Sequence, residues 1–441
     1  MVISLLLAFL ALSCPTEEPV GNVYGDPLVF NDGRRVSTKA EWAQRRCEIL
    51  EIFQNEVYGR MPDACKVYVE KIESGITTIP ANSVSGVSSP QQAVREQYRM
   101  WFKADHTGPK IDWLVVRPAN SAGPVPVIMT LNFWGNHQML KDDRILVPTE
   151  DWFDNGDKNW GVVDNRISSS SRGYLLDGTR RYHYPLELFI SKGYAFVTCC
   201  CADIAADPEA DGDDVSLQRT LPFRQIFSLW GPRDSSKGDN TGVLAAWGWA
   251  LMRGMDMVEG LSELDQSKVL VTGCSRLGKA ALIAGAFDER FSIVCPVQTG
   301  GGGIPLSKHR CDGKESVESE TGRYTHWWCD NFRKYAGNED AMTFDQHMLV
   351  SCIAPRAIFA TGFQNPWFDK EGEFLSLKYA SPVWEKIFCV SALPDVPFPS
   401  ADSNAAVGDN VGYYHRGDRK HGVVMAEWNR LLPLVGKIWG K

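Results

Sequence analysis

From about residue 65 to residue 133, short apolar runs alternate with polar positions and are separated by Gly, Pro and Asn: VYVEKI, YRMWFKA, IDWLVVRP and VPVIMTLNF. A period of two with turn residues between the runs predicts successive strands. Ahead of them, residues 40–59 (AEWAQRRCEILEIFQNEVYG) have helical periodicity and stop at Gly59, before Pro62. Further on the pattern changes. Ser191-Lys192-Gly193 closes a helix and leads into an apolar strand, and residues 241–258 form a helix rich in Ala and Trp. Residues 269–271, 294–297 and 357–360 read as short buried strands. Strands alternating with helices predict an α/β fold with a largely parallel central sheet and an antiparallel beginning. Two polar stretches, 140–182 and 203–240, are too long for simple connections and read as surface insertions near the sheet edge. With no internal repeat or low-complexity linker, residues 15–441 make one catalytic domain.

The sharpest local signal is VLVTGCSRLGK, residues 269–279. An apolar β-branched run ends at Gly273, Cys274-Ser275-Arg276 follows, and a small-residue helix begins by Lys279. A buried strand, a tight turn holding a serine and a helix starting behind it are the elements of a nucleophile elbow. The turn lifts the hydroxyl clear of the sheet, and the helix N-terminus supplies N–H groups for a developing oxyanion. The second glycine, Gly278, comes one residue later than in G-x-S-x-G. An inert strand–turn–helix serine is the competing reading of the motif alone.

Composition narrows the rest. An apolar content of 44% fits a globular protein with an ample core, and the formal charge of −8 argues against a nucleic-acid partner. The excess of aromatic side chains (15 Trp, 13 Tyr) is common in carbohydrate sites, although core packing uses most of them. Residues 2–13 (VISLLLAFLALS) are too short to span a bilayer and sit where a signal peptide has its apolar region, so residues 1–14 read as a signal peptide. Export is expected, into the periplasm or beyond, with Cys14 a candidate for lipidation. The twelve cysteines give no disulfide framework. Cys311 and Cys329 flank a polar loop and are the expected pair. No His/Cys cluster has zinc spacing, so neither metal nor cofactor is expected.

An elbow serine needs a base downstream. Of the histidines after Ser275, His421 lies in a glycine-containing loop just before the C-terminal helix, where the last strand's loop presents an imidazole. His347 fits a structural role, as a partner of Asp345.

GCSRLGK resembles the G-C-S-R-x-G-K elbow of the glucuronoyl esterases of carbohydrate esterase family 15. EILEIFQNEVYGRMP, LNFWGNH, WWCDNFRKY, FDQHMLVSCIAPRAIFA and WFDKEGEF also resemble its bacterial members, as do the closing histidine loop and the Glu-Trp-Asn helix. The resemblance runs in order along nearly all of residues 15–441. It implies an α/β-hydrolase fold and cleavage, without a cofactor, of an ester between a 4-O-methyl-glucuronate carboxyl on xylan and a lignin alcohol. Ser275 would be the nucleophile, His421 the base and Arg276 an oxyanion stabiliser. Lys279 would hold sugar hydroxyls, Trp367 would contact the uronate ring, and Glu318 is a further candidate for sugar hydroxyls. The polysaccharide is the expected partner and a monomer the expected state.

The triad acid is where the chain departs from that pattern. One family arrangement puts a glutamate on the strand after the elbow helix, but here Gln298 stands there; it is carried as a substrate contact. The other puts an acid just before Trp367, where Gln364-Asn365-Pro366 stands instead. Asp369 is the nearest remaining carboxylate and is assigned as the group that orients His421. Asp345, Glu371 and an amide-supported dyad stay open, and Asp369 could instead cap a helix. In fungal relatives the cysteine before the serine is bridged to one after the histidine. Gly422 occupies that place, so Cys274 is expected unbridged or paired differently. Two other functions remain beside glucuronoyl ester hydrolysis: an acetyl or feruloyl esterase of the same fold, and a carbohydrate-binding homologue that has lost catalysis.

Overall fold

The computed structural model describes residues 21–148, 162–163, 166–167, 169–176, 182–208 and 215–440. The signal-peptide reading, Cys14 and parts of both insertions lie outside them.

Nine strands form one twisted sheet: β1 (Tyr68–Ile79), β2 (Gln91–Trp101), β3 (Lys110–Pro118), β4 (Val125–Asn132), β5 (Ala195–Cys200), β6 (Leu264–Cys274), β7 (Ile293–Val297), β8 (Ala357–Phe363) and β9 (Val411–Arg416). Their order is β1-β2-β3-β5-β4-β6-β7-β8-β9. The pairings β1–β2, β2–β3 and β3–β5 are antiparallel. Every pairing from β5 to β9 is parallel. The four alternating runs at the start are the antiparallel strands plus β4. The later apolar runs are parallel strands buried on both faces, which is why they lack alternation. This is the α/β-hydrolase arrangement.

Helix α1 (Lys39–Phe53) opens with a full capping box, Thr38 and Glu41 bonding each other's backbone. It passes through a wide turn (Gln54–Tyr58) and ends at Gly59, whose φ of +86° suits glycine. A Cβ there would also lie 2.2 Å from the Asn240 carbonyl oxygen. The Ala- and Trp-rich helix α2 (Val243–Glu259) is buried along most of its length against α3 (Arg276–Phe287). Small residues allow that closeness, since a Cβ on Gly248 would meet Ile283 at 2.7 Å. Two apolar clusters cover the two faces of the sheet. Helices α4 (Lys370–Ala380) and α5 (Met425–Trp439) complete the layers at the β8–β9 end.

Two side expectations are corrected. Cys311 and Cys329 form no bridge. The Cys329 thiol faces the Asn55 carbonyl oxygen at 3.6 Å and that of Cys311 the Asp312 carbonyl oxygen at 3.9 Å. No disulfide joins the described cysteines, Cys274 included. Asp345 does not pair with His347, because it accepts from the N–H groups of Ser307, Lys308 and Gln346, while His347 Nε2 bonds the Gly25 carbonyl oxygen at 2.8 Å.

Candidate active site

β6 ends at Cys274, and Ser275 takes φ +61° and ψ −131°, a conformation that costs energy for a residue with a Cβ. The surroundings enforce it. A Cβ on Gly273 would lie 2.2 Å from the Leu277 carbonyl oxygen, and one on Gly278 would lie 2.9 Å from that of Gly273. The late glycine therefore belongs to the elbow, where α3 folds back on the end of β6. Ser275 N–H donates to the Val297 carbonyl oxygen at 2.9 Å, tying the turn to the end of β7.

The residue that follows β7 is Gln298, also at positive φ (+49°) and fully buried. Its Oε1 lies 3.0 Å from His421 Nδ1 and accepts from the Gly422 N–H at 2.9 Å. Its Nε2 donates to Glu427 Oε1 at 3.2 Å. A backbone N–H on one side and a carboxylate on the other leave one amide orientation. The oxygen faces the imidazole, so Nδ1 carries the proton and Nε2 is left as the basic nitrogen. Phe363 and Phe368 stack on the imidazole, with centroids 5.6 and 4.5 Å away, and Tyr182 meets it edge-on at 6.2 Å.

Arg416, at the end of β9 and 2% exposed, organises the loop that carries His421. It donates to the carbonyl oxygens of Lys420 and Gly422, to Asp418 and to Glu427. Burial pushes the Glu427 carboxyl up to about 7, against the Arg416 charge and its hydrogen bonds.

Asp369 does not orient His421. It caps α4 by accepting from the Gly372 N–H at 3.0 Å, and it pairs with His309 Nδ1 at 2.9 Å. The capping alternative is what the helix uses, because the unpaired N–H groups of its first turn lie nearest that carboxylate. Gln298 is likewise not a substrate contact, being wholly enclosed. Asn365 accepts from the Trp367 N–H within its own turn.

Arg276 is held beside the serine by Asp207, and its guanidinium lies 4.8 Å from the Trp327 ring centroid and 5.4 Å from that of Tyr324. Those two rings stack 3.8 Å apart. Burial alone would raise the Asp207 carboxyl, but Arg276 and the bonds from His326 Nε2 (2.9 Å) and Trp327 Nε1 (2.7 Å) hold it well below the usual range.

Lys279 is 2% exposed, lying 3.3 Å from Glu320 and 3.7 Å from Glu315 and over the Trp327 ring at 4.9 Å. Glu315 reaches Trp367 Nε1 at 3.0 Å and the Gly301 N–H at 2.9 Å. Burial and the Glu315 charge push the Glu320 carboxyl well up, with Lys279 opposing. The fold brings Lys279 and Trp367 to the same carboxylate, Glu315, but leaves Glu318 exposed, on the far side of the helix Val317–Arg323. The carboxylates that face inward are Glu315 and Glu320.

Asp207, Glu315, Arg416 and Glu427 were not singled out from the sequence. A signal existed for one of them: Asp207 is an acid at the end of an apolar run. Glu427 accepts from the Val424 N–H at 3.0 Å, but valine offers no side-chain cap that would have marked the helix start.

A family profile described as "Glucuronyl esterase, fungi" matches residues 190–387. A carbohydrate esterase designated MZ0003, from an unknown prokaryotic organism, is 32% identical over 409 residues, covering 92% of this chain and 87% of that protein. The chain belongs to carbohydrate esterase family 15. A glucuronoyl esterase from Solibacter usitatus superposes with a TM-score of 0.79 at 30% identity, over 94% of this chain and 97% of that one. A promiscuous family 15 esterase from a marine bacterial metagenome gives 0.77 at 30% identity, over 94% and 96%. The 4-O-methyl-glucuronoyl methylesterase 1 of Phanerochaete chrysosporium is 35% identical over 347 residues, 77% of this chain and 56% of that longer protein. Family 15 membership makes the chain a carboxylic ester hydrolase. Among the described residues no helix is long and apolar enough to cross a membrane.

Proposed function

We propose that this chain hydrolyses esters of glucuronic acid or its 4-O-methyl ether, on xylan or a related polysaccharide, through an acyl-enzyme on Ser275. The observation that carries the reading is the setting of Ser275: a strained elbow hydrogen-bonded to Val297, with Gln298 next in the chain and bonded to His421 Nδ1.

In this mechanism His421 Nε2 takes the Ser275 proton as Oγ attacks the ester carbonyl carbon. The tetrahedral oxyanion forms beside the α3 N-terminus and the Arg276 guanidinium, which are fixed before the charge develops. Collapse expels the alcohol, which receives the proton from His421. Water, deprotonated by the same nitrogen, then attacks the acyl-enzyme and releases the free uronate. Gln298 holds the imidazole tautomer throughout. The usual defect of an amide at this position is the wrong tautomer, and Gly422 and Glu427 prevent it by fixing the amide orientation. Glu427, the next group along, accepts from the amide nitrogen and from Arg416.

Trp367 supplies an indole face and Glu315 an acceptor suited to a polyhydroxylated ring, with the buried Lys279–Glu320 pair holding Glu315 from behind. The Phanerochaete relative, a 4-O-methyl-glucuronoyl methylesterase, supports a glucuronoyl ester, and the promiscuous marine esterase supports tolerance of more than one ester. Export rests on the apolar run at residues 2–13. The test is hydrolysis of methyl and benzyl glucuronate by wild type and Ser275→Ala. Turnover abolished by the substitution is expected. Sugar binding without turnover in the wild type would make the chain a binding protein.

A further inference from the structure

A cavity of about 350 Å³ opens beside the insertion that ends near residue 240. That volume is within the range of small-molecule sites, about 300–1,000 Å³, and far exceeds what an inorganic anion fills. Three arginines line it, Arg219, Arg233 and Arg333, against one lining carboxylate among the described residues, Asp330. That carboxylate neutralises little, being 3.8 Å from Arg233 and 71% exposed.

The other contacts of two of these arginines are to uncharged groups. Arg233 donates to the Thr241 carbonyl oxygen and stacks over Phe223 at 4.4 Å, and Arg333 donates to the Thr321 carbonyl oxygen. Neither bond neutralises a charge. Burial pushes the Arg233 guanidinium below its ordinary value, with Asp330 opposing. His326 and Trp328 belong to the same wall, both 2% exposed, and His326 Nδ1 and Trp328 Nε1 have no hydrogen-bond partner.

We propose that this cavity is a second saccharide subsite, which takes an anionic sugar unit of the polysaccharide while a neighbouring uronate ester is cleaved at Ser275. Guanidinium forks match a carboxylate or sulfate in paired hydrogen bonds, and the Phe223 and Trp328 side chains add apolar surface beside the charged group. A hydrogen-bond chain joins the cavity wall to the catalytic centre. His326 joins the cavity wall to Asp207 at 2.9 Å, and Asp207 holds Arg276. Because it names a second unit of the same substrate, the inference rests on the glucuronoyl esterase reading.

The test compares KM on two esters: the methyl ester of a single glucuronate, and a xylo-oligosaccharide carrying one esterified and one free glucuronate. In Arg233→Gln, and in the double variant Arg219→Gln/Arg333→Gln, KM for the oligosaccharide should rise about tenfold, equivalent to about 1.4 kcal/mol. Its kcat, and both constants on the single sugar, should stay as in wild type. Arg233→Lys, which keeps the charge, should recover part of the affinity. KM unchanged on the oligosaccharide, or changed equally on both esters, overturns the subsite.

If wild type hydrolyses neither ester, the esterase reading fails separately. Calorimetric binding of the unesterified oligosaccharide to wild type and variants then decides the subsite. Weaker binding in the arginine variants supports it and equal binding overturns it. In competition, a sulfated oligosaccharide outdoing the uronate would assign the anion as a sulfate ester. A neutral xylo-oligosaccharide competing equally well would overturn the proposal.

Discussion

His421 Nδ1 lies 3.0 Å from the side-chain oxygen of Gln298, an amide where a triad carboxylate is expected. The same oxygen accepts from the Gly422 N–H, and the amide nitrogen donates to Glu427. Gln298→Leu removes the acceptor for Nδ1–H and leaves the ring able to adopt either tautomer. Its kcat on methyl glucuronate should fall about 10²- to 10⁴-fold with KM little changed. A variant within threefold of wild type, on the order of 0.7 kcal/mol, would mean that the tautomer is set elsewhere.

Asp369→Ala should separate stability from catalysis. It removes the cap of α4 and the partner of His309, at a cost of roughly 1–2 kcal/mol in thermal or denaturant unfolding. Steady-state kinetics should show kcat close to wild type. A collapse of kcat in folded protein would return Asp369 to the catalytic machinery.

Arg276→Ala should raise the barrier by roughly 2–4 kcal/mol, read as a fall in kcat/KM dominated by kcat. Asp207→Asn keeps the hydrogen-bonding shape but loses the countercharge, and should show a smaller loss of the same kind. An effect on KM alone, in either variant, would make Arg276 a ground-state binder.

Stability should depend on pH through two buried glutamates. Burial raises Glu427 to about 7, opposed by Arg416, and Glu373 to about 8, opposed by its Thr299 and Tyr413 hydrogen bonds, from an ordinary value of 4.5. Between those values the folded protein keeps protons that the unfolded chain has released. Their stabilisation is therefore complete below pH 4.5 and is lost as pH rises through about 7 and 8. Melting temperature should decline across that window in wild type and decline less in Glu427→Gln and Glu373→Gln. Curves for the variants parallel to wild type would contradict the linkage.

Much of the protein was written in local patterns. Alternating runs marked the antiparallel strands, continuous apolar runs the parallel ones, and the elbow at Ser275 followed from a strand, a turn and a helix within eleven residues. Arg276 and Lys279 follow Ser275 on the same helix, so α3 carries them to the site together. These features depend on neighbours in the chain, and a one-dimensional pattern is enough to specify them.

What faces what across the site was decided only by the tertiary structure. Gln298 and His421 are 123 residues apart and meet because β7 and β9 flank β8 and Arg416 folds the last loop back. Asp369 lies nearer to Trp367 in sequence, yet its carboxylate is drawn to the start of its own helix. Glu320 turns inward while Glu318 faces solvent, a matter of rotation about one short helix, and Glu315 is turned inward by the loop just before it. Hydrogen-bond partners over such distances depend on strand order, loop closure and helix phase, and these exist only once the core has packed.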